Sequence, residues 1–182
     1  MDRMPSPPPT GRRNFLVGAA IVALGAVAKL VPVASGLLVF LNPLRSKAAR
    51  GAFLPVALLD ALPADGMPRR FPVIADRVNA WTKTPQVSIG AVYLRRLPDH
   101  SVQAFNVICP HAGCFVNFQP ERKAFQCPCH ASHFHLGGAI SEPSSPSPRG
   151  LDGLEVNVQP SGQILVKFQN FRPGAAEKIP VT

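Results

Sequence analysis

Six residues in two short runs carry most of the chain's capacity for chemistry. The first run is Cys109-Pro110-His111-Ala112-Gly113-Cys114, and the second is Cys127-Pro128-Cys129-His130-Ala131-Ser132-His133. Together they contain all 4 cysteines of the 182-residue chain. Each run sets Cys beside His within a few residues, and the prolines and Gly113 favour tight loops over regular structure. Three chemistries compete for these donors. A structural zinc ion would take a tetrahedral set drawn from both runs. A disulfide framework would pair the four cysteines and leave the histidines idle. A [2Fe–2S] cluster of mixed ligation needs two thiolates on one iron and two imidazoles on the other, one Cys and one His from each of two loops. The pattern Cys-x-His, fifteen residues, Cys-x-x-His meets that last demand with Cys109, His111, Cys127 and His130. Four cysteines and two histidines exceed what one four-coordinate ion uses.

Loops of this kind need a rigid frame, and the flanking sequence supplies short segments of period two. These are Phe71-Pro72-Val73-Ile74, the run from Val87 to Leu94, and the run from Val102 to Ile108. After the boxes come Leu154-Glu155-Val156-Asn157-Val158 and Ile164-Leu165-Val166-Lys167-Phe168, separated by Gln159-Pro160-Ser161-Gly162-Gln163, a hairpin signature. The predicted fold class is therefore mainly β: an antiparallel domain over residues 56–182, with the two-loop part at about 108–148 inserted between strands. There is no internal repeat.

The N-terminal quarter is different. Residues 1–13 form a Pro-rich polar tail, residues 14–41 are almost wholly apolar and long enough to span a bilayer as a helix, and residues 42–55 read as a hinge or linker. Lys29 lies in mid-span, where a charge is costly unless it snorkels, faces a partner helix or marks a break near Pro32. The segment Thr10-Gly11-Arg12-Arg13-Asn14-Phe15-Leu16 resembles a twin-arginine export signal. The formal charge is +9. Seven cations against the single anion Asp2 give the first fifty residues a net +6 and leave +3 for the remainder. The basic excess surrounds the apolar segment and does not form a face of the β domain, which excludes nucleic acid as a partner.

The two boxes resemble those of Rieske iron–sulfur proteins, in the subclass with an extra cysteine pair, and the resemblance runs from about Phe71 to the C-terminus. It implies that Cys109 and Cys127 bind the buried iron and that His111 and His130 bind the outer, redox-active iron with exposed imidazole edges. It also implies that Cys114 and Cys129 join the loops by a disulfide. That extra pair, the apolar anchor, the twin-arginine segment and the Pro-rich run Ser145-Pro146-Ser147-Pro148 resemble bacterial subunits of cytochrome bc complexes. The resemblance then implies electron transfer from quinol to a c-type cytochrome beside cytochrome b. His130 would be the hydrogen-bond and proton acceptor for quinol. The chain would cross the cytoplasmic membrane once and place its β domain on the periplasmic side. The small Rieske subunit of a periplasmic arsenite oxidase is the alternative, and a zinc-stabilised binding module is the alternative of another class.

Three residues depart from the family pattern: Ala112 for a shielding Leu, Ala131 for Gly, and Phe134 for Tyr. Hydrogen bonds to cluster sulfur favour the reduced, more negative state. Ser132 can donate one and Phe134 cannot, so the reading predicts a lower potential than in members with both donors, suited to menaquinol. The remaining candidates read as structural. His133 and His135 fall off the ligand spacing, His100 follows Pro98-Asp99 in a turn, Trp81 is an isolated aromatic, and Arg95-Arg96 is a solvated strand end. No nucleophile elbow, phosphate loop or paired carboxylate is present.

Overall fold

The computed structural model describes residues 11–45, 52–78 and 82–181. The chain divides into two units, Met1–Ser46 and Lys47–Thr182. The first ten residues of the polar tail, residues 46–51 of the expected linker, and Trp81 lie outside the described residues.

Among its described residues the first unit contains one helix, α1 (Arg12–Arg45). Its segment Arg12–Leu41 is long and apolar enough to cross a membrane. The helix begins two residues before the expected start and takes in the arginine pair as its first turn. It runs without a break through Pro32. In a bilayer a broken helix would leave peptide groups without water to bind, which favours continuity. Ser35 meets the same constraint by donating its hydroxyl to the Val31 carbonyl at 2.8 Å.

Among its described residues the second unit contains twelve strands and one short 3-10 turn, Leu59–Ala61. In chain order the strands are β1 (Phe53–Leu58), β2 (Arg69–Val78), β3 (Lys83–Arg96), β4 (Val102–Asn106), β5 (Asn117–Gln119), β6 (Ala124–Gln126), β7 (His133–His135), β8 (Gly153–Leu154), β9 (Val156–Val158), β10 (Gln163–Lys167), β11 (Asn170–Phe171) and β12 (Pro180–Val181). They form antiparallel sheets in the orders β2-β3-β4-β8, β1-β10-β9 and β5-β6-β7, with a small β11-β12 ribbon. The expected hairpin is present, with Val156 opposite Val166 and Val158 opposite Ile164. β1 starts at Phe53, inside the segment read as linker, and pairs Phe53 with Lys167. Its short Phe-Leu-Pro-Val run carries too little alternation to separate it from a connecting segment.

Strands β3 and β4 form a wall shared by two cores, as period-two side-chain alternation requires. Val92, Leu94 and Ala104 face one core, which Val73, Leu62, Ile164 and Val166 complete. Tyr93 and Phe105 face the other, which contains Val107, Val116, Phe125, Phe134, Leu151 and both Cys109 and Cys127. The candidate donors are thus carried by a subdomain packed directly on the central sheet. Phe125 is its hub, in contact with Tyr93 (centroids 5.0 Å apart), Phe118 (5.5 Å) and Phe105 (6.1 Å).

The single tyrosine fastens this subdomain. The Tyr93 hydroxyl donates to the Val116 carbonyl and accepts from the Phe118 N–H, both at 3.2 Å. Tyr93→Phe keeps the ring and leaves both backbone groups without that partner, so we expect a loss of about 1–3 kcal/mol in denaturant unfolding.

Candidate metal centre

Each box is a loop closed by its own backbone. In the first, the Cys109 N–H donates to the Cys114 carbonyl at 2.7 Å and the Gly113 N–H to the Cys109 carbonyl at 3.0 Å. Gly113 has φ +83°, a left-handed conformation that Gly adopts without penalty. In the second, the Cys127 N–H donates to the Ser132 carbonyl at 2.8 Å. That loop turns at Ala131 with φ 52°. The departure from Gly at this position therefore places a Cβ where L-residues are strained.

The loops meet face to face. A disulfide joins Cys114 to Cys129 with Cα atoms 6.6 Å apart. Cys109 and Cys127 are free, buried thiols. Burial pushes the Cys109 thiol above its ordinary range, the His111 amide N–H pulls it back, the adjacent Cys127 raises it again, and the Ser132 hydroxyl lowers it. Ser132 Oγ is buried without a hydrogen-bond partner. On the outer side, the His111 and His130 rings stand edge to face with centroids 4.7 Å apart. His130 is exposed, and His111 is half-buried with its Nδ1 sealed from water and unpartnered.

The donors thus sort into two like pairs, thiols inside and imidazoles outside. Two adjacent buried thiols are poor anions unless a metal charge compensates them, and the orphaned His111 Nδ1 asks for the same kind of partner. The donor set fits a two-iron cluster of mixed ligation. It fits a single zinc ion less well. Among the described residues one group of three donors is close enough to share an ion, Cys114, Cys127 and Cys129, with sulfurs within 4.8 Å of one another. Two of these three sulfurs are consumed by the disulfide.

Ala112 is exposed in the first box. Phe134 is fully buried in the core that also holds Cys109 and Cys127. His133 and His135 lie on β7 opposite Gln126 and Ala124. His100 is exposed and faces Arg96 at 3.3 Å. Arg95 and Arg96 depart from a solvated strand end: Arg95 Nε and Nη1 and Arg96 Nε are buried and unpartnered. Packing along the shared wall reaches further down β3 than the polar sequence suggested.

Sequence reasoning missed two groups that hold the loops. Buried Asn106 donates through its amide to the Gln169 carbonyl and Asn170 Oδ1, both at 2.9 Å, and accepts from the Ile108 N–H at 3.0 Å. A polar residue inside Phe105-Asn106-Val107-Ile108 was the available signal. Arg149 and Asp152 form a two-pronged ion pair at 2.9 and 2.8 Å, with side chains only 11% and 5% exposed. Arg149 also donates to the Arg172 and Ala175 carbonyls. That C-terminal segment in turn donates the Gly174 N–H to the Pro110 carbonyl at 2.8 Å, closing a brace from residue 149 to the first box.

The profile of the Rieske [2Fe-2S] domain matches residues 54–160, more than half of the chain. The iron-sulfur subunit 3 of the cytochrome b6-f complex from Nostoc sp. strain PCC 7120 is 30% identical over 168 residues, covering 91% of this chain and 88% of that protein. The menaquinol:cytochrome c reductase iron-sulfur subunit of Bacillus subtilis is 27% identical over 122 residues, covering 65% of this chain and 70% of that protein. A crystal structure of a cyanobacterial plasma membrane Rieske protein from Synechocystis PCC 6803 is similar over 64% of this chain and 99% of that one, at 24% identity and TM-score 0.44.

Two outcomes follow from this geometry. Ala131→Gly removes the left-handed strain and should raise unfolding stability by about 1 kcal/mol. Arg149→Met leaves the Asp152 carboxylate buried without its partner and should cost about 3–5 kcal/mol, read by the same denaturant titration.

Proposed function

This chain belongs to the Rieske [2Fe–2S] family and carries that family's cluster, and from this premise we propose that it is the electron-transfer subunit of a membrane quinol:cytochrome c oxidoreductase of cytochrome bc type, with menaquinol as donor. The observation that carries the proposal is the pairing of an exposed imidazole, His130, with a buried thiol pair behind it. That arrangement suits a centre that must touch a substrate at its outer edge while holding its metal firmly at the inner one.

In this reading Cys109, Cys127, His111 and His130 would hold the cluster, and the Cys114–Cys129 disulfide locks the two loops against each other. The cluster, when bound, supplies a one-electron acceptor near the protein surface. His130 presents its outer ring nitrogen to the quinol hydroxyl, accepts its hydrogen bond and holds its proton. Quinol oxidation releases a proton with each electron, so a group that receives both functions at one place lowers the cost of separating them. The Ser132 hydroxyl, buried without a partner, would be the donor to sulfur of the centre, and the phenyl ring of Phe134 supplies no second donor. A c-type cytochrome would be the acceptor of the electron taken here, and cytochrome b the membrane partner.

α1 supports a single membrane crossing. The arginine pair at its start supports twin-arginine export, which carries folded proteins with their cofactors in place. The disulfide supports an oxidising compartment, which favours the extracytoplasmic side of the cytoplasmic membrane for the β domain. The menaquinol reductase subunit among the relatives supports the choice of quinol.

Two experiments test this reading. Phe134→Tyr should raise the midpoint potential of the purified protein in a redox titration, and an unchanged midpoint removes the basis for a low-potential quinol. Alkaline carbonate extraction should leave the chain in the membrane pellet, whereas its release into the soluble fraction would favour the arsenite oxidase type of small subunit.

A further inference from the structure

The two boxes are held unequally. The first rests on the turn between β11 and β12, a segment beyond residues 54–160 matched by the Rieske profile. The Gly174 N–H donates to the Pro110 carbonyl at 2.8 Å. A Cβ on Gly113 would meet Pro173 Cγ at 3.5 Å, and a Cβ on Gly174 would meet the His111 carbonyl oxygen at 3.7 Å. Pro173 and Gly174 therefore lie against the box at residues 110, 111 and 113, on both sides of His111. Among the described residues, no backbone hydrogen bond joins this turn to the second box.

Arg149 fixes the turn from behind. Its Nη1 donates to the Arg172 carbonyl at 3.1 Å and to the Ala175 carbonyl, the two residues that flank Pro173-Gly174. Its Nε and Nη2 grip the Asp152 carboxylate. One planar guanidinium thus spans a carboxylate and both carbonyls, a fork that the point charge of a lysine cannot reproduce. The turn is closed beyond this grip by the Arg172 N–H, which donates to the Ile179 carbonyl at 2.8 Å. The imidazoles follow the same division: His111 is half-buried with Nδ1 sealed from water, whereas His130 is exposed. A ligand group holds its geometry only as well as the shell behind it does.

We propose that Arg149 is a positioning residue for the metal centre: through residues 172–175 it fixes the first box, so that His111 is the immobile imidazole and His130 keeps the freedom a substrate-facing group needs. The inference rests on the reading of His111 and His130 as ligands and assigns them unequal roles.

The test compares full-length, membrane-extracted wild type with Arg149→Lys, Pro173→Gly and, in the other core, Val73→Ala, which removes part of a fully buried side chain far from the turn. Hydrogen exchange read by mass spectrometry reports residues 109–114 and 127–132 separately. In Arg149→Lys the exchange rate of the first segment relative to the second should rise about tenfold, the loss of one or two hydrogen bonds felt locally. Pro173→Gly should move the ratio in the same direction without touching Asp152. Val73→Ala should lower unfolding stability and leave the ratio at its wild-type value. In nitrogen hyperfine spectra of the reduced protein, Arg149→Lys should alter one of two histidine couplings and spare the other. A wild-type ratio in Arg149→Lys, or both segments accelerating together, makes Arg149 a purely structural residue and overturns the inference while the ligand reading stands. A wild-type cluster signal without histidine nitrogen coupling overturns the ligand reading and the inference with it.

Discussion

Two thiols buried side by side, Cys109 and Cys127, are the constraint around which the β unit is organised. Burial holds the Cys109 thiol above its ordinary range, and the pair becomes a good ligand set when a metal supplies the compensating charge. Keeping water out requires the aromatic core of Tyr93, Phe105, Phe125 and Phe134. Keeping the loops in register requires the disulfide, the Asn106 bonds and the Arg149 brace. The imidazoles sit on the solvent side of the same loops, so one folding solution yields a firm inner edge and an accessible outer edge.

The shared wall of β3 and β4 explains how a modest domain holds two cores. Alternate residues serve opposite sides, so a register slip of one residue would exchange Val92 and Leu94 with Tyr93 and would unseat both cores together. Departures from the family pattern are tolerated where this frame absorbs them. Ala131 keeps the left-handed turn because the Cys127–Ser132 backbone bond and the nearby disulfide over-determine it. Phe134 packs fully in the core and exchanges a possible hydrogen-bond donor for apolar contact.

What was legible in the sequence was local. The box residues, the apolar helix, the period-two strands and the β9–β10 hairpin are each written in neighbouring residues, and the structure contains each of the elements. What was hidden depends on residues distant in the chain. Tyr93 reaches residues 116 and 118, Asn106 reaches 169 and 170, and Arg149 reaches 172 and 175. No periodicity or spacing rule reports such pairings, because they arise from the way sheets bring separate segments together. The Arg95 and Arg96 side chains, read as solvated, are partly buried for the same reason.

The central claim is that two thiolates and two imidazoles share a pair of irons in these loops. Nitrogen hyperfine spectroscopy on the reduced, membrane-extracted protein tests it most directly. The account predicts a paramagnetic [2Fe–2S] signal coupled to two inequivalent histidine nitrogens. A metal-loaded protein that is silent under the same conditions and contains zinc, or a cluster signal without histidine nitrogen coupling, would contradict it.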